Sequence, residues 1–263
     1  MQISNKYKRF LGIAILSIAS SILFYGCPTI PEFPVQPSVK YDDVSFEIFT
    51  YTTETGVQIT SEKINLTLYF EDGDGDLGLN LDETNPPFNE FNIPLQPDNS
   101  LIRIGDSDTL PAYNPINYYI PATSDSLVYS YIRYEGTDSA QYINERLDAN
   151  DTIYVIPNPR SKNIFIDFYY QPTNNSDFVL FDFNAAPYYQ NFNGRFPRLN
   201  TEEYERPING TLTYSLESVI FQILFRQQPI ILEFYITDRA GNKSNVARTE
   251  PFILSEVQIE STE

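Results

Sequence analysis

Apolar and polar positions alternate in short runs along most of the chain. The cleanest run is 63–71, where Ile64, Leu66, Leu68 and Phe70 fall on one side and Asn65, Thr67 and Tyr69 on the other. A period of two sends successive side chains to opposite faces of an extended backbone, so this run predicts a strand with one buried face. Six more runs have the same β-forming character: 43–51, 163–170, 178–183, 210–216, 229–237 and 245–254. The last contains Pro251, which has no N–H to give a ladder and suits an edge. Residues 219–225 are a further apolar run, and 127–134 and 152–156 read as short strands. Long helical periodicity is absent; residues 139–147 read as one short helix.

Seven short strands separated by turn residues predict an all-β, antiparallel, immunoglobulin-like or fibronectin-III-like sandwich over residues 41–260. The pattern fails between the second and third strands. Residues 79–160 hold Pro86, Pro87, Pro94, Pro97, Pro111, Pro115 and Pro121 among many Asn and Asp, and read as a long, irregular insertion. The competing organisation is two tandem sandwiches split near 160.

Composition narrows the chemistry. The 263 residues include 35 Asp+Glu against 17 Lys+Arg, a formal net charge of −18, which repels polyanions and excludes nucleic acid as a partner. The 20 Tyr and 19 Phe are enough to build a core despite that charge. There is no histidine, which removes Ser-His-Asp and Cys-His catalysis and imidazole metal ligation. The single cysteine, Cys27, allows neither an intrachain disulfide nor a thiolate zinc cluster.

Cys27 stands at the end of a leader. Lys6, Lys8 and Arg9 precede an uncharged apolar stretch from Phe10 to Tyr25, about 16 residues against the ~20 a membrane span needs. One reading is a short anchor that stays attached. The arrangement more closely resembles a bacterial lipoprotein signal peptide, although Phe24 and Tyr25 stand where that family usually has Leu and a small residue. The resemblance implies removal of residues 1–26, a lipid on Cys27, and a Pro-rich tether over 27–40 with Pro31, Pro34 and Pro37. It places the protein at the outer membrane. Only Glu32 is acidic within 28–36, which favours the periplasmic face over the cell surface.

The densest chemistry follows the second strand. Asp72, Asp74 and Asp76 alternate with Gly73 and Gly75. Glycines allow a tight turn on which alternate carboxylates converge, and several hard oxygens suit calcium. Counted from Asp72, acids fall at positions 1, 3 and 5, Asn80 at 9 and Glu83 at 12, a spacing that resembles an EF-hand loop, with Leu77 in place of its sixth-position glycine. The ordinary alternative is a solvated acidic turn. A second loop, Asp238-Arg239-Ala240-Gly241-Asn242, resembles a turn found near the last strand of bacterial immunoglobulin-like domains. In that fold the loops after the second and sixth strands share one end, so Asp238, with Asn242, is expected beside Asp72, Asp74 and Asp76 in one calcium site. Asn80 and Glu83 are weaker candidates.

The leader, the Asp-Gly-Asp-Gly-Asp turn, the late Asp-Arg-Ala-Gly-Asn turn and the stretch from Phe192 to Pro197 together resemble a group of Bacteroidota lipoproteins. The resulting expectation is a non-enzymatic, calcium-stabilised envelope lipoprotein. It would be a binding or accessory subunit of an outer-membrane assembly, with an unidentified protein or glycan partner. Tyr188 and Tyr189, in a loop, are candidate ligand contacts, since Tyr has an apolar body and a polar tip. The alternative is a glycan-binding protein or a glycoside hydrolase working through two carboxylates.

Overall fold

The computed structural model describes residues 32–120, 151–173, 175–200 and 206–260, with the backbone of the strands at 127–134 and 140–147. Strands β1 (Ser38–Thr52) and β2 (Gln58–Asp72) form a long antiparallel hairpin, with one register shift between Tyr41 and Asp43. Its turn is closed by hydrogen bonds from the Val57 and Gly56 amides to Thr53, and Gly56 takes the positive φ of +82° that the turn requires. Ile64, Leu66, Leu68 and Phe70 of β2 are buried and the residues between them are not, as the alternation predicts.

The insertion contains three two-stranded ladders. β3 (Phe91–Asn92) pairs with β8 (Ile156–Pro157), β4 (Tyr118–Tyr119) with β7 (Ile153–Tyr154), and β5 (Leu127–Tyr134) with β6 (Ala140–Leu147). A small core of Ile93, Leu101, Ile153 and Val155 packs against Phe91 of β3 and Tyr119 of β4. The short helix expected over 139–147 is instead β6. Its eight residues pair one for one with β5, and a cross-strand partner rich in Tyr, Val and Ile outweighs the weak helical preference of so short a segment.

The chain then builds the second sheet from β9 (Ile164–Tyr170), β10 (Val179–Phe181), β12 (Ile230–Ile236) and β13 (Ala247–Arg248), in the order β10-β9-β12-β13. Between β10 and β12 it crosses to the first sheet, where β11 (Ile208–Ser218) lies on the far side of β2. All pairings between these strands are antiparallel. Orders β1-β2-β11 and β10-β9-β12-β13 are those of an immunoglobulin-like sandwich with the insertion after its second strand. The expected last strand is shorter than its apolar pattern implied. Beyond β13 only single bridges remain, Phe252 to Ile230 and then Gln258 to Phe46. The chain thus crosses after Phe252 from one sheet to the open edge of the other, and Pro251 falls before the crossing, between β13 and the Phe252 bridge, at the edge beside β12.

Between the sheets lies one apolar cluster. Phe46, Ile64, Leu66 and Leu68 meet Ile166, Phe168, Leu232 and Phe234, all 4% exposed or less. Phe168 is ringed by Phe183, Phe192, Phe221 and Phe225 at centroid distances of 5.1 to 5.9 Å. Phe221 and Phe225 come from a one-turn helix, α1 (Phe221–Phe225), which the apolar run 219–225 forms in part. Truncating Phe168 to Ala is expected to cost about 3–5 kcal/mol in urea unfolding, because the rigid rings around it cannot collapse into the space. The same truncation of Ile223, 78% exposed on α1, is expected to change stability by under about 0.5 kcal/mol.

Candidate metal centre

Strand alternation itself creates this site. On β2 the buried series Ile64, Leu66, Leu68, Phe70 continues by two to Asp72. On β12 the series Ile230, Leu232, Phe234, Ile236 continues by two to Asp238. Both aspartates are forced inward at the same end of the core, one from each sheet: Asp72 is 0% exposed and Asp238 is 6% exposed. Asp76 joins them from the turn after β2. One carboxylate oxygen from each of Asp72, Asp76 and Asp238 lies within 4.8 Å of the other two.

The turns are fixed from outside. The Gly73 N–H donates to the Pro34 carbonyl at 2.9 Å, and Gly75, at φ +72°, packs so closely on the Arg206 carbonyl that a Cβ would collide with it. The Ala240 N–H donates to Asp76 Oδ2 at 3.0 Å and links two loops 164 residues apart. Asn242 donates its backbone N–H to Asp238 Oδ1 and its side-chain amide to Asp238 Oδ2, both at 2.7 Å. Asn242 therefore orients Asp238, as an outer partner of the cluster. The chain entering β1 is bound to both loops. Besides the Pro34 contact, Gln36 donates to the Lys243 carbonyl, and Val39 exchanges two hydrogen bonds with the Asn245 side chain. Nothing in the residue pattern signals these contacts beyond the glycines that allow them.

The electrostatics are unbalanced. Both oxygens of Asp72, and Oδ1 of Asp74 and of Asp76, are buried without a hydrogen-bond partner among the described residues. Burial, then the charges of Asp74, Asp76 and Asp238, pushes the Asp72 carboxyl up to about 7; a nearby Asp76 N–H, which does not satisfy either oxygen, offsets this in part. Burial, then Asp238 and Asp74, pushes Asp76 up to about 6, against the amides of Ala240 and Arg239. The closest arginine in sequence is committed elsewhere: Arg239 pairs with Glu83 at 2.6 Å and stacks on Phe88.

The weaker candidates lie apart from this cluster. Leu77, at the sixth position of the calcium-like spacing, is a core residue at 1% exposure. Its burial pulls the chain into a pairing with 196–199, through Leu79 N–H to Phe196 and Leu199 N–H to Leu77. Asn80 then accepts from the Arg198 N–H, and Glu83 accepts from the Asn80 N–H and pairs with Arg239, which holds its carboxyl below the usual range. The resemblance to an EF-hand loop thus ends at Asp76. Tyr188 packs on Phe181 and Phe183, and Tyr189 sits in a turn at φ +45°; neither lines the cavity of about 530 Å³ beside β9. Cys27 and the leader 1–26 lie outside the described residues.

Four buried, donor-free carboxylate oxygens can hold a hard divalent cation or protons. The cluster lies outside three cavities found among the described residues. Comparison of the chain with protein-family models, with curated proteins and with solved structures finds no match.

The raised carboxyls set the sign of a pH effect. Without divalent cations, folded Asp72 and Asp76 keep protons at pH values where unfolded carboxyls, near 3.8, have lost them. The folded state then binds more protons, so stability falls as pH rises from about 4 to about 7 and levels off above. Melting temperature in calcium-free buffer is expected to drop between about pH 5.5 and 7.5, with a shallower drop for Asp72→Asn.

Proposed function

We propose that the chain is a non-enzymatic envelope protein whose sandwich is locked at one end by a calcium ion held by Asp72, Asp76 and Asp238, with Asp74 beside them. One observation carries this reading: the fully buried Asp72 carboxylate has no donor on either oxygen. A charge in that position is tolerated only when something neutralises it. The ligand atoms are all carboxylate oxygens, in a chain without histidine, which favours a hard cation over zinc or copper. Calcium accepts irregular sets of six to eight oxygens, whereas magnesium demands a regular octahedron and retains its water.

In this reading the ion neutralises the cluster and joins β2, β12 and the segment 33–39 that meets both acidic loops. The lock thus sits where the tether from Cys27 would reach the domain. A lipid on Cys27 would hold the protein at the outer membrane, on the periplasmic face, as a binding or accessory subunit with a protein or glycan partner.

Calcium at about 100 times its dissociation constant should add about 2.7 kcal/mol, or roughly 5–10 °C in melting temperature for a domain of this size. Asp72→Asn should show a crossover. It removes the buried charge, so it should melt above the wild type in chelator, yet it should gain little from calcium. A wild-type melting temperature that calcium leaves unchanged would refute the lock.

A further inference from the structure

A cleft runs along the seam between the insertion and the sandwich, away from the acidic cluster. Its main chamber, about 530 Å³, is bounded by the insertion at 90–91, 115–119 and 155–159 and by β9 and residues 191–193 of the sandwich. A second chamber of about 240 Å³ shares Glu90, Ser161 and Lys162 with the first, so the two form one elongated groove. The larger chamber has the size of small-ligand sites.

Its lining combines two kinds of surface. Four aromatic residues line it, Phe91, Tyr118, Tyr119 and Phe165; Tyr118 is buried and its hydroxyl donates to the Pro111 carbonyl. Phe91 and Tyr119 form a tilted pair at 5.1 Å. Phe165 stacks on Tyr235 at 4.7 Å and 9°, so one of its faces is already covered and the rest of the ring is what the cleft can use. Beside the rings stand polar groups with unengaged hydrogen-bonding capacity. Among the described residues, the Glu90, Lys162 and Asn191 side chains make no hydrogen bond or ion pair. Asn193 accepts the Ile166 N–H through Oδ1, which leaves its amide hydrogens for the cleft. The groove therefore offers acceptors, donors and apolar ring surface together.

That combination matches a sugar, whose hydroxyls both donate and accept and whose ring carries an apolar C–H face. Two features decide against other ligands. Pro115, Pro157 and Pro159 line the wall and have no N–H, so a peptide cannot extend a strand ladder along it. Glu90 and Lys162 offset each other, and the Arg195 guanidinium that lines the second chamber is taken up by the backbone carbonyls of Asn80, Glu83, Phe88 and Ser161, so no unopposed cation is presented to an anionic ligand.

We propose that this groove binds a short, neutral oligosaccharide, with Phe91, Tyr119 and Phe165 against sugar rings and Glu90, Lys162, Asn191 and Asn193 on hydroxyls. The proposal deepens the reading of the protein as a binding module, but it does not depend on calcium, since no groove residue belongs to the acidic cluster.

Calorimetric titration of the full chain tests it, with cellotetraose, maltotetraose, mannotetraose and xylotetraose as probes. Each is used at about 5 mM, where even a millimolar site fills, with and without calcium. A tetragalacturonate and an unstructured peptide serve as controls. At least one neutral tetrasaccharide should bind. Asn191→Ala and Lys162→Ala, surface changes that should leave the melting temperature unaltered, should weaken it by about tenfold or more together, and Phe165→Ala should abolish it. The proposal is overturned if none of the four binds, if the Asn191 and Lys162 changes leave binding intact, or if only the anionic sugar or the peptide binds. Calcium-dependent melting without sugar binding would sink the groove and spare the lock; the reverse would do the opposite.

Discussion

The burial of the Asp72 carboxylate is the constraint on which the end of this sandwich depends. β2 delivers four apolar side chains to the core and then, in the same phase, an aspartate. The phase cannot be altered locally, because shifting β2 by one residue would expose Ile64, Leu66 and Leu68 as well. The core thus holds a carboxylate where water does not reach, and β12 brings Asp238 to the same place by the same rule. Removing these charges from water is costly, and their mutual repulsion adds to the cost. A bound cation would offset both costs through its attraction to each carboxylate. On the proposed account, the site is therefore a condition for closing this end of the fold as well as a place where an ion binds.

Much of this was legible in the strand pattern. The all-β class follows from period-two runs, and the meeting of Asp72 with Asp238 follows from which loops share an end of such a sandwich. The depth of the site was legible too, in a signal not used: the apolar series of β2 and β12 each run on, without a break in phase, into an aspartate. What the pattern did not disclose came from contacts between distant segments. Asn80 and Glu83 have suitable chemistry and spacing, but burial of Leu77 and the pairing of 77–79 with 196–199 carry them to Arg198 and Arg239. Residues 140–147 look helical in isolation and become β6 because β5 lies alongside. Tyr188 looks like a loop residue free to bind, yet Phe181 and Phe183 hold it.

The two proposed sites occupy different parts of the molecule and have different logic. The acidic cluster keeps four buried carboxylate oxygens without a donor, and is suited to an ion that stays. The seam groove is open and mixed in character, and is suited to a neutral ligand that exchanges. Residues 33–39 lie against the acidic loops, so a filled lock would also hold the start of β1.

The central claim is that a single calcium ion sits among Asp72, Asp76 and Asp238. Anomalous diffraction at long wavelength from crystals grown in calcium tests it most directly. The account predicts one strong calcium peak within about 2.3–2.6 Å of oxygens from all three aspartates. Well-ordered aspartates with no peak between them, or a calcium peak elsewhere on the chain alone, would contradict it.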